Sequence, residues 1–312
     1  MRCAVGLLGF VVVILSVVPA KADTISPYVL VSGYYSSNVL KYDAVTGAPL
    51  GTLIPTGSGG LYRPEGLAIG PDGNLLVSSA HSHNVKKYDL STGAFLGDFA
   101  AGSGLQYPRG ITFGPDANLY VASGDQSVKR FNGETGVFMD EFVPQGTPYF
   151  GRPTGLIFHG NYFYATIGDS HCITRHDATT GALLGVFASG SGLDGPEGLT
   201  FGADANLYTA DATQDVVRRY DGQSGQFIDD FVPAGSGGLD GPQDVLLNMD
   251  GSLLVTSFEN SSVLRYDGTT GAFLGVFASG GDLSAPTFML LVPEPSALAA
   301  LSLGCLIVIR RR

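Results

Sequence analysis

Residues Glu197–Pro242 read EGLTFGADANLYTADATQDVVRRYDGQSGQFIDDFVPAGSGGLDGP, and most of the chain on either side consists of variations on this stretch. An aromatic or histidine followed by Asp or Asn recurs at Tyr42-Asp43, Tyr88-Asp89, Phe131-Asn132, His176-Asp177, Tyr220-Asp221 and Tyr266-Asp267, at intervals of 46, 43, 45, 44 and 46 residues. Three or four positions later each copy carries Thr-Gly or Ser-Gly, and each closes at a proline: Pro64, Pro108, Pro153, Pro196, Pro242 and Pro286. A period near 45 with this much turn chemistry points to a propeller or an array.

The copy that opens at Gly66 shows the local rules. Gly66 to Ile69 predicts a first strand. Pro71-Asp72-Gly73-Asn74 is a tight hairpin whose glycine takes positive φ without steric cost. Leu75 to Ser79, Val85 to Asp89 and Ala94 to Phe99 follow as the second, third and fourth strands, the last two joined by an Asp-x-x-Thr-Gly turn. Leu75-Leu76-Val77 and Leu199-Thr200-Phe201 place apolar residues on both faces. A blade flanked by two neighbours buries both faces and leaves only short outer edges.

The ends fix the count. The first copy lacks its opening strand and begins at Tyr28-Val-Leu-Val-Ser, while the last overruns into Thr287-Phe288-Met289-Leu290-Leu291. The surplus matches the deficit. The expected fold is all-β: a six-bladed β-propeller of four-stranded antiparallel blades, closed by pairing the C-terminal strand with the N-terminal blade. Composition agrees, with 44% apolar residues, 45 glycines and only 14% charged residues in 312.

Three segments are expected: a signal peptide over 1–22, the propeller over 23–292 and a sorting tail over 293–312. The first segment opens with Arg2, runs apolar from Leu7 to Val18 and ends Ala20-Lys21-Ala22, a small-x-small pattern for cleavage after Ala22. In the tail, Pro293-Glu294-Pro295-Ser296 precedes Ala297 to Ile309 and the cluster Arg310-Arg311-Arg312. Its apolar run is short for a stable transmembrane span, and the arginines favour the cytoplasmic side. Without both ends, twelve basic and twenty-seven acidic residues remain, a net charge of −15. Such a domain repels phosphate backbones, which excludes nucleic acid as a partner. Cys172 would be the one cysteine left, so an intrachain disulfide is excluded and repetition must supply the stability.

Two resemblances follow from these residues. Val-Pro-Glu-Pro-Ser, a short greasy helix and a terminal arginine cluster resemble the PEP-CTERM sorting signal. That implies export across the inner membrane of a Gram-negative bacterium, transient membrane association through the tail, and processing by an exosortase near Pro293, Glu294 and Pro295. The domain would then reside in the cell envelope, at the cell surface or in the extracellular matrix. Pro-x-Gly-Leu/Ile, Asp-x-Asn-Leu-Tyr and Val-x-x-Tyr-Asp, best seen from Pro196 to Asp221, resemble the NHL repeat and the six-bladed group that includes gluconolactonases and streptogramin lyases. Gln243-Asp244-Val245 and His159-Gly160-Asn161 depart from that pattern.

A propeller of this kind gathers ligand chemistry at one end of its axis. There the loops between second and third strands meet the connections between blades, and the Asp-Gly hairpins lie opposite. On that face the residue after each closing proline forms a ring: Glu65, Arg109, Thr154, Glu197, Gln243 and Thr287. The same face is expected to carry His81 and His83, Asp125, Asp169 and His171, Asp211 and Asp215, and Glu259. Imidazoles and carboxylates suit zinc, and oxygens alone suit calcium, but the spacing is no metal signature and no cofactor is expected. The candidate ligand-binding residues are therefore Glu65, His81, His83, Arg109, Asp125, His171, Glu197 and Asp211. Tyr34 and Tyr35 suit either stacking on carbohydrate or ordinary loop packing, and His159 and His176 read as packed or edge residues.

Two function classes remain. One is an exported binding or structural module for an extracellular protein or polysaccharide, which is the expectation. The other is an enzyme. The gluconolactonase resemblance implies a divalent cation held by a glutamate, Glu65 or Glu197, with an asparagine and an aspartate among Asn84, Asp125 and Asp211. The lyase resemblance implies a histidine, His81 or His171, working with Glu197. Nucleophile elbow, phosphate loop and paired-cysteine motifs are all missing from the sequence.

Overall fold

A computed structural model describes residues 26–293. The expected processing residues Ala22, Glu294 and Pro295, like the leader and the apolar tail, lie outside the described residues, and Pro293 is the last of them. Among the described residues no helix is long and apolar enough to cross a membrane.

Six separate four-stranded antiparallel sheets follow one another along the chain. Blade 2 is representative, with strands Pro64–Ile69, Leu75–Ser79, Asn84–Tyr88 and Phe95–Ala101. Blades 3 to 6 occupy 111–143, 153–189, 196–232 and 242–279. Blade 1 holds Tyr28–Gly33, Asn38–Asp43 and Pro49–Ile54, and takes its innermost strand, Pro286–Val292, from the other end of the chain. Tyr28 pairs with Val292, Val29 with Leu291, Leu30 with Leu290 and Val31 with Met289, so the expected closure is observed.

Burial follows from the radial arrangement. Second strands are buried except at Tyr162, while outer strands mix exposed and half-buried positions with a few buried ones. Apolar clusters straddle neighbouring blades: Leu76 and Val85 of blade 2 pack with Leu119 and Val121 of blade 3, and Leu254 and Val263 of blade 6 with Val29 and Val31 of blade 1. A single blade could not hide these surfaces. The repeating aromatic position is buried in all six copies, including His176. Its Nδ1 donates to the Gly181 carbonyl at 3.0 Å and its Nε2 accepts from the Thr174 hydroxyl at 3.0 Å, while burial lowers its pKa to about 4. His159 stacks on Phe201 at the hairpin end of blade 4. Both are packing residues, as the sequence indicates.

The Asp-x-x-Thr-Gly turn works as a joint between blades. Asp89 Oδ1 accepts from the Thr92 amide at 2.7 Å and from its hydroxyl at 2.8 Å, and the other five copies repeat this bond pair. Gly93 is left-handed, and a Cβ there would lie 1.7 Å from the Leu53 carbonyl oxygen of blade 1. Only glycine lets the turn dock on its neighbour.

The opposite hairpins contain a surprise. Where blade 2 has Gly73 at φ 80°, blades 3 and 5 place Ala117 and Ala205 at φ 59° and 61°. Alanine carries a Cβ penalty in this region of about 1 kcal/mol. Ala117→Gly and Ala205→Gly are each expected to raise the unfolding free energy by about 0.5–1 kcal/mol, read by denaturant titration; a loss of stability in both would contradict this account.

Asp244 sits on the inner strand of blade 6, Pro242–Leu247, where four other blades carry glycine. Its Oδ2 accepts from the Met289 amide of the closing strand at 2.9 Å. Burial pushes its carboxyl up to about 7, against the opposing pull of the Met289 and Val245 amides. Below the ordinary aspartate value the group is protonated in both the folded and unfolded states. As the pH rises from there through about 7, the unfolded chain ionises freely and the folded one resists, so stability is lost, by about 4 kcal/mol for this one group. In Asp244→Asn that loss disappears. The stability difference between variant and parent should therefore widen from about pH 4 to pH 8, and a constant difference would sink the assignment.

Candidate binding face

The loops between second and third strands share one end of the axis with the connections between blades, as the repeat pattern implies. Each such loop ends in a left-handed residue that is not glycine: Ser37, His83, Gln126, His171, Asp215 and Ser261. Four of their side chains accept an amide from the next connection: Ser37 Oγ from Arg63, His83 Nδ1 from Tyr107, Asp215 Oδ1 from Gly241 and Ser261 Oγ from Ala285, at 2.7–3.2 Å. The amide donors are themselves left-handed, at φ 53°, 40°, 60° and 52°, and each stands immediately before a closing proline. Such backbone costs energy in a non-glycine residue and persists where its surroundings hold it.

These clasps account for several candidate residues. His83 is engaged as a clasp and packs edge-on against Tyr107, with ring centroids 4.4 Å apart. His171 occupies the same position in blade 4 and reaches Asp194, 2.9 Å from its Oδ1. Asp211 is fully buried, accepting from the amides of Asp194 and Gly195 and from Arg218 Nε at 2.8 Å. Asp125 accepts from Ser127 and pairs with the buried Lys129 ammonium at 2.8 Å. These four do not converge on one site. Thr287 is likewise buried, donating to the Pro64 carbonyl, and Glu259 is exposed.

Glu65, His81, Arg109 and Glu197, by contrast, line one cavity of about 510 Å³ together with Tyr34, Gln106, Tyr107, Arg152, Thr154 and Asp169. At its floor the Arg109 guanidinium lies between two carboxylates. Nε donates to Glu65 Oε2 at 2.9 Å and Nη1 to Thr154 Oγ1 at 2.8 Å. Nη2 lies 3.3 Å from Glu197 Oε2 but out of line for a hydrogen bond, so that buried oxygen has no hydrogen-bond partner. Burial pushes both glutamates above their ordinary pKa while Arg109 pulls each back. Burial also acts against the charge of Arg109, but Glu197 and Glu65 outweigh it and hold the guanidinium charged. On the wall, Arg152 grips Asp169 through two bonds of 2.9 Å.

The rim is aromatic. Phe258, Tyr35, Tyr34 and His81 form an arc across blades 6, 1 and 2, and His81 touches both Tyr62 and Tyr107, the latter packed on His83, with neighbouring ring centroids 4.4–6.3 Å apart. Arg63 lies over Tyr34, Tyr35 and Tyr62 at 5.1–5.7 Å and donates to His81 Nε2 at 3.1 Å. Burial, then the charge of Arg63, keeps His81 below its ordinary pKa and hence neutral at pH 7. Sequence reasoning found Tyr34, Tyr35 and His81 but missed Tyr62, Arg63, Tyr107, Arg152 and Phe258. A usable signal was the residue before each closing proline, which is Arg63, Tyr107 and Arg152 on this side of the disc and Gly195, Gly241 and Ala285 on the other.

The site residues do not suit a divalent cation. The Arg109 guanidinium holds the position between Glu65 and Glu197, and among the described residues no three His, Cys, Asp or Glu side chains are grouped to hold a metal.

No protein-family model and no curated protein sequence matches the chain. Solved structures do. A chain from a nidogen/laminin complex superposes with a TM-score of 0.68 at 15% identity, covering 85% of this chain and 98% of its own. A protein of unknown function from Bacteroides caccae gives 0.66 at 14% identity, covering 86% and 99%. A catalytically inactive virginiamycin B lyase from Staphylococcus aureus, solved with quinupristin, gives 0.58 at 15%, covering 88% and 85%. At these identities the likeness establishes the propeller architecture.

Arg109→Met leaves Glu65 and Glu197 buried without a counter-charge. The expected cost is about 3 kcal/mol or more at pH 7, partly regained near pH 5 as the two carboxyls take up protons. Unfolding titrations at both pH values test this, and an equal loss at both would assign Arg109 a packing role alone.

Proposed function

We propose that the protein is an exported binding module whose loop face docks an extracellular protein or polysaccharide. The observation that carries this reading is the aromatic arc. Tyr35, Tyr62 and Tyr107 are 62%, 50% and 48% exposed on loops that are otherwise tightly clasped. Large aromatics held out on a rigid frame are the residues that dominate recognition surfaces. The clasps from Ser37 and His83 fix the backbone at Arg63 and Tyr107, so these side chains leave the rim in set directions. Export rests on the leader and on the resemblance of the tail to the PEP-CTERM signal, with an exosortase as the processing partner. The NHL-type repeat is the proposed origin of the blades.

An enzymatic reading, lactonase or streptogramin-lyase-like, draws on His81 and Glu197 sharing one cavity and on a lyase among the structural neighbours. Arg109 weighs against it. The guanidinium already engages Glu65 and lies against Glu197, which is the opposite of freeing a carboxylate for proton transfer or for a cation.

The purified full-length chain, added to envelopes of its source cells, should be retained. Combining Tyr62→Ala with Tyr107→Gly should reduce the retained fraction about tenfold. Met249→Ala, at an exposed position on the hairpin face, should leave it unchanged. Equal retention of all three proteins would remove the loop face from consideration.

A further inference from the structure

We infer that the ligand of this face is a neutral polysaccharide, whose chain end enters the Glu65–Arg109–Glu197 cavity while the following sugars lie along the aromatic arc. The inference rests on the binding reading above and narrows it to one class of ligand.

Charge is the first argument. The chain carries a net −11, so a polyanion is repelled at long range. Inside the cavity Glu65, Glu197 and Asp169 face Arg109 and Arg152, and the rim adds Arg63. Three acids stand against three arginines, a formal balance that favours neither an anionic nor a cationic chain. What remains is a set of planar, hydrogen-bonding groups fixed in place.

The second argument is the pairing of donor and acceptor. In the cavity Arg109 and Glu197 keep 29% and 14% of their side chains exposed, so a donor and an acceptor stand side by side within reach of a ligand. A sugar hydroxyl can donate to the carboxylate and, through its own lone pairs, accept from the neighbouring guanidinium at the same time. A carboxylate or an ammonium group offers only one half of that exchange. The alternation of acids and arginines here needs both.

Shape is the third. A cavity of about 510 Å³ falls in the range of small-ligand sites and accommodates a terminal ring or two, not a protein surface. Tyr107 at its wall and Tyr62 and Tyr35 beyond it are amphipathic rings that meet the C–H faces of pyranoses while their hydroxyls bond to sugar oxygens. Tyr62 and Tyr107 each pack edge to face on His81, with centroids 5.3–5.4 Å apart, which holds both tyrosines in place on the rim.

The test is electrophoresis of the native full-length chain through gels containing dextran, galactomannan or hydroxyethyl cellulose, with polygalacturonate as the acidic comparison. At least one neutral polymer should retard the protein and polygalacturonate should not. Glu197→Gln and Tyr107→Gly should each weaken the retardation about tenfold. Tyr107→Gly is the decisive variant, because glycine at φ 40° relieves strain: its melting temperature should hold or rise while binding falls, which separates lost recognition from lost folding. Envelopes treated with periodate, which destroys vicinal diols, should no longer retain the protein, whereas protease-treated envelopes should. The reverse outcome identifies a protein partner and overturns the polysaccharide while leaving the binding face intact. Retardation by polygalacturonate alone overturns the neutral assignment. Insensitivity of envelope retention to the rim variants refutes the binding reading itself.

Discussion

The antiparallel pairing of Pro286–Val292 with Tyr28–Gly33 is the interaction on which everything else depends. Each blade is apolar on both faces and finds cover only in two neighbours, so an open row of six would leave two large apolar sheets in water. Closing the row with a strand from the far end removes both at once. It also joins residues more than 250 positions apart, a long loop to close for the contact that completes the core of blade 1. The hydroxyl of Ser32, bonded to the Glu65 carbonyl at 2.8 Å and to Thr287 at 2.9 Å, ties this seam to the inner strand of blade 2.

Closure makes the interior uniform, which leaves individuality to the mouth. The frame is held by devices that recur from blade to blade: aspartate or asparagine accepting from Thr or Ser at each turn, a docked glycine, and the left-handed clasp that fixes the connection into the next blade. Because the clasp absorbs the strain at the residue before the proline, that residue is free to vary in side chain without moving the backbone. Arg63 and Tyr107 use the freedom on one half of the rim, and Gly241 and Ala285 leave the other half bare. The asymmetry of the candidate site grows from a symmetrical scaffold.

Much of this was legible in the sequence, and for a physical reason. Strand period, turn chemistry and the matching of an absent first strand with a surplus last one are local or countable properties, so the blade count, the closure and the ring from Glu65 to Glu197 follow from them. What the ring residues do to one another was not legible. Whether Glu65 and Glu197 would face a cation or the Arg109 guanidinium depends on side-chain directions across three blades, which no local pattern encodes. His83 and His171 read as candidate binding residues and Asp215 as a further loop residue of the same face, whereas their backbone position makes them clasps or near relatives of clasps. The alanines at Ala117 and Ala205 show the converse, a turn formed where its usual residue is missing because the flanking strands dictate the geometry.

The closing strand also determines how the disc answers to a pull. Tyr28 and Val292 face each other at the hairpin end, so the chain leaves the disc on the side away from the aromatic mouth. With the mouth held and tension applied beyond Pro293, the force runs lengthwise down Pro286–Val292. Its hydrogen bonds to Tyr28–Gly33 then share the strain together instead of peeling apart in turn. A disc of this design resists tearing when it is pulled along its closing strand.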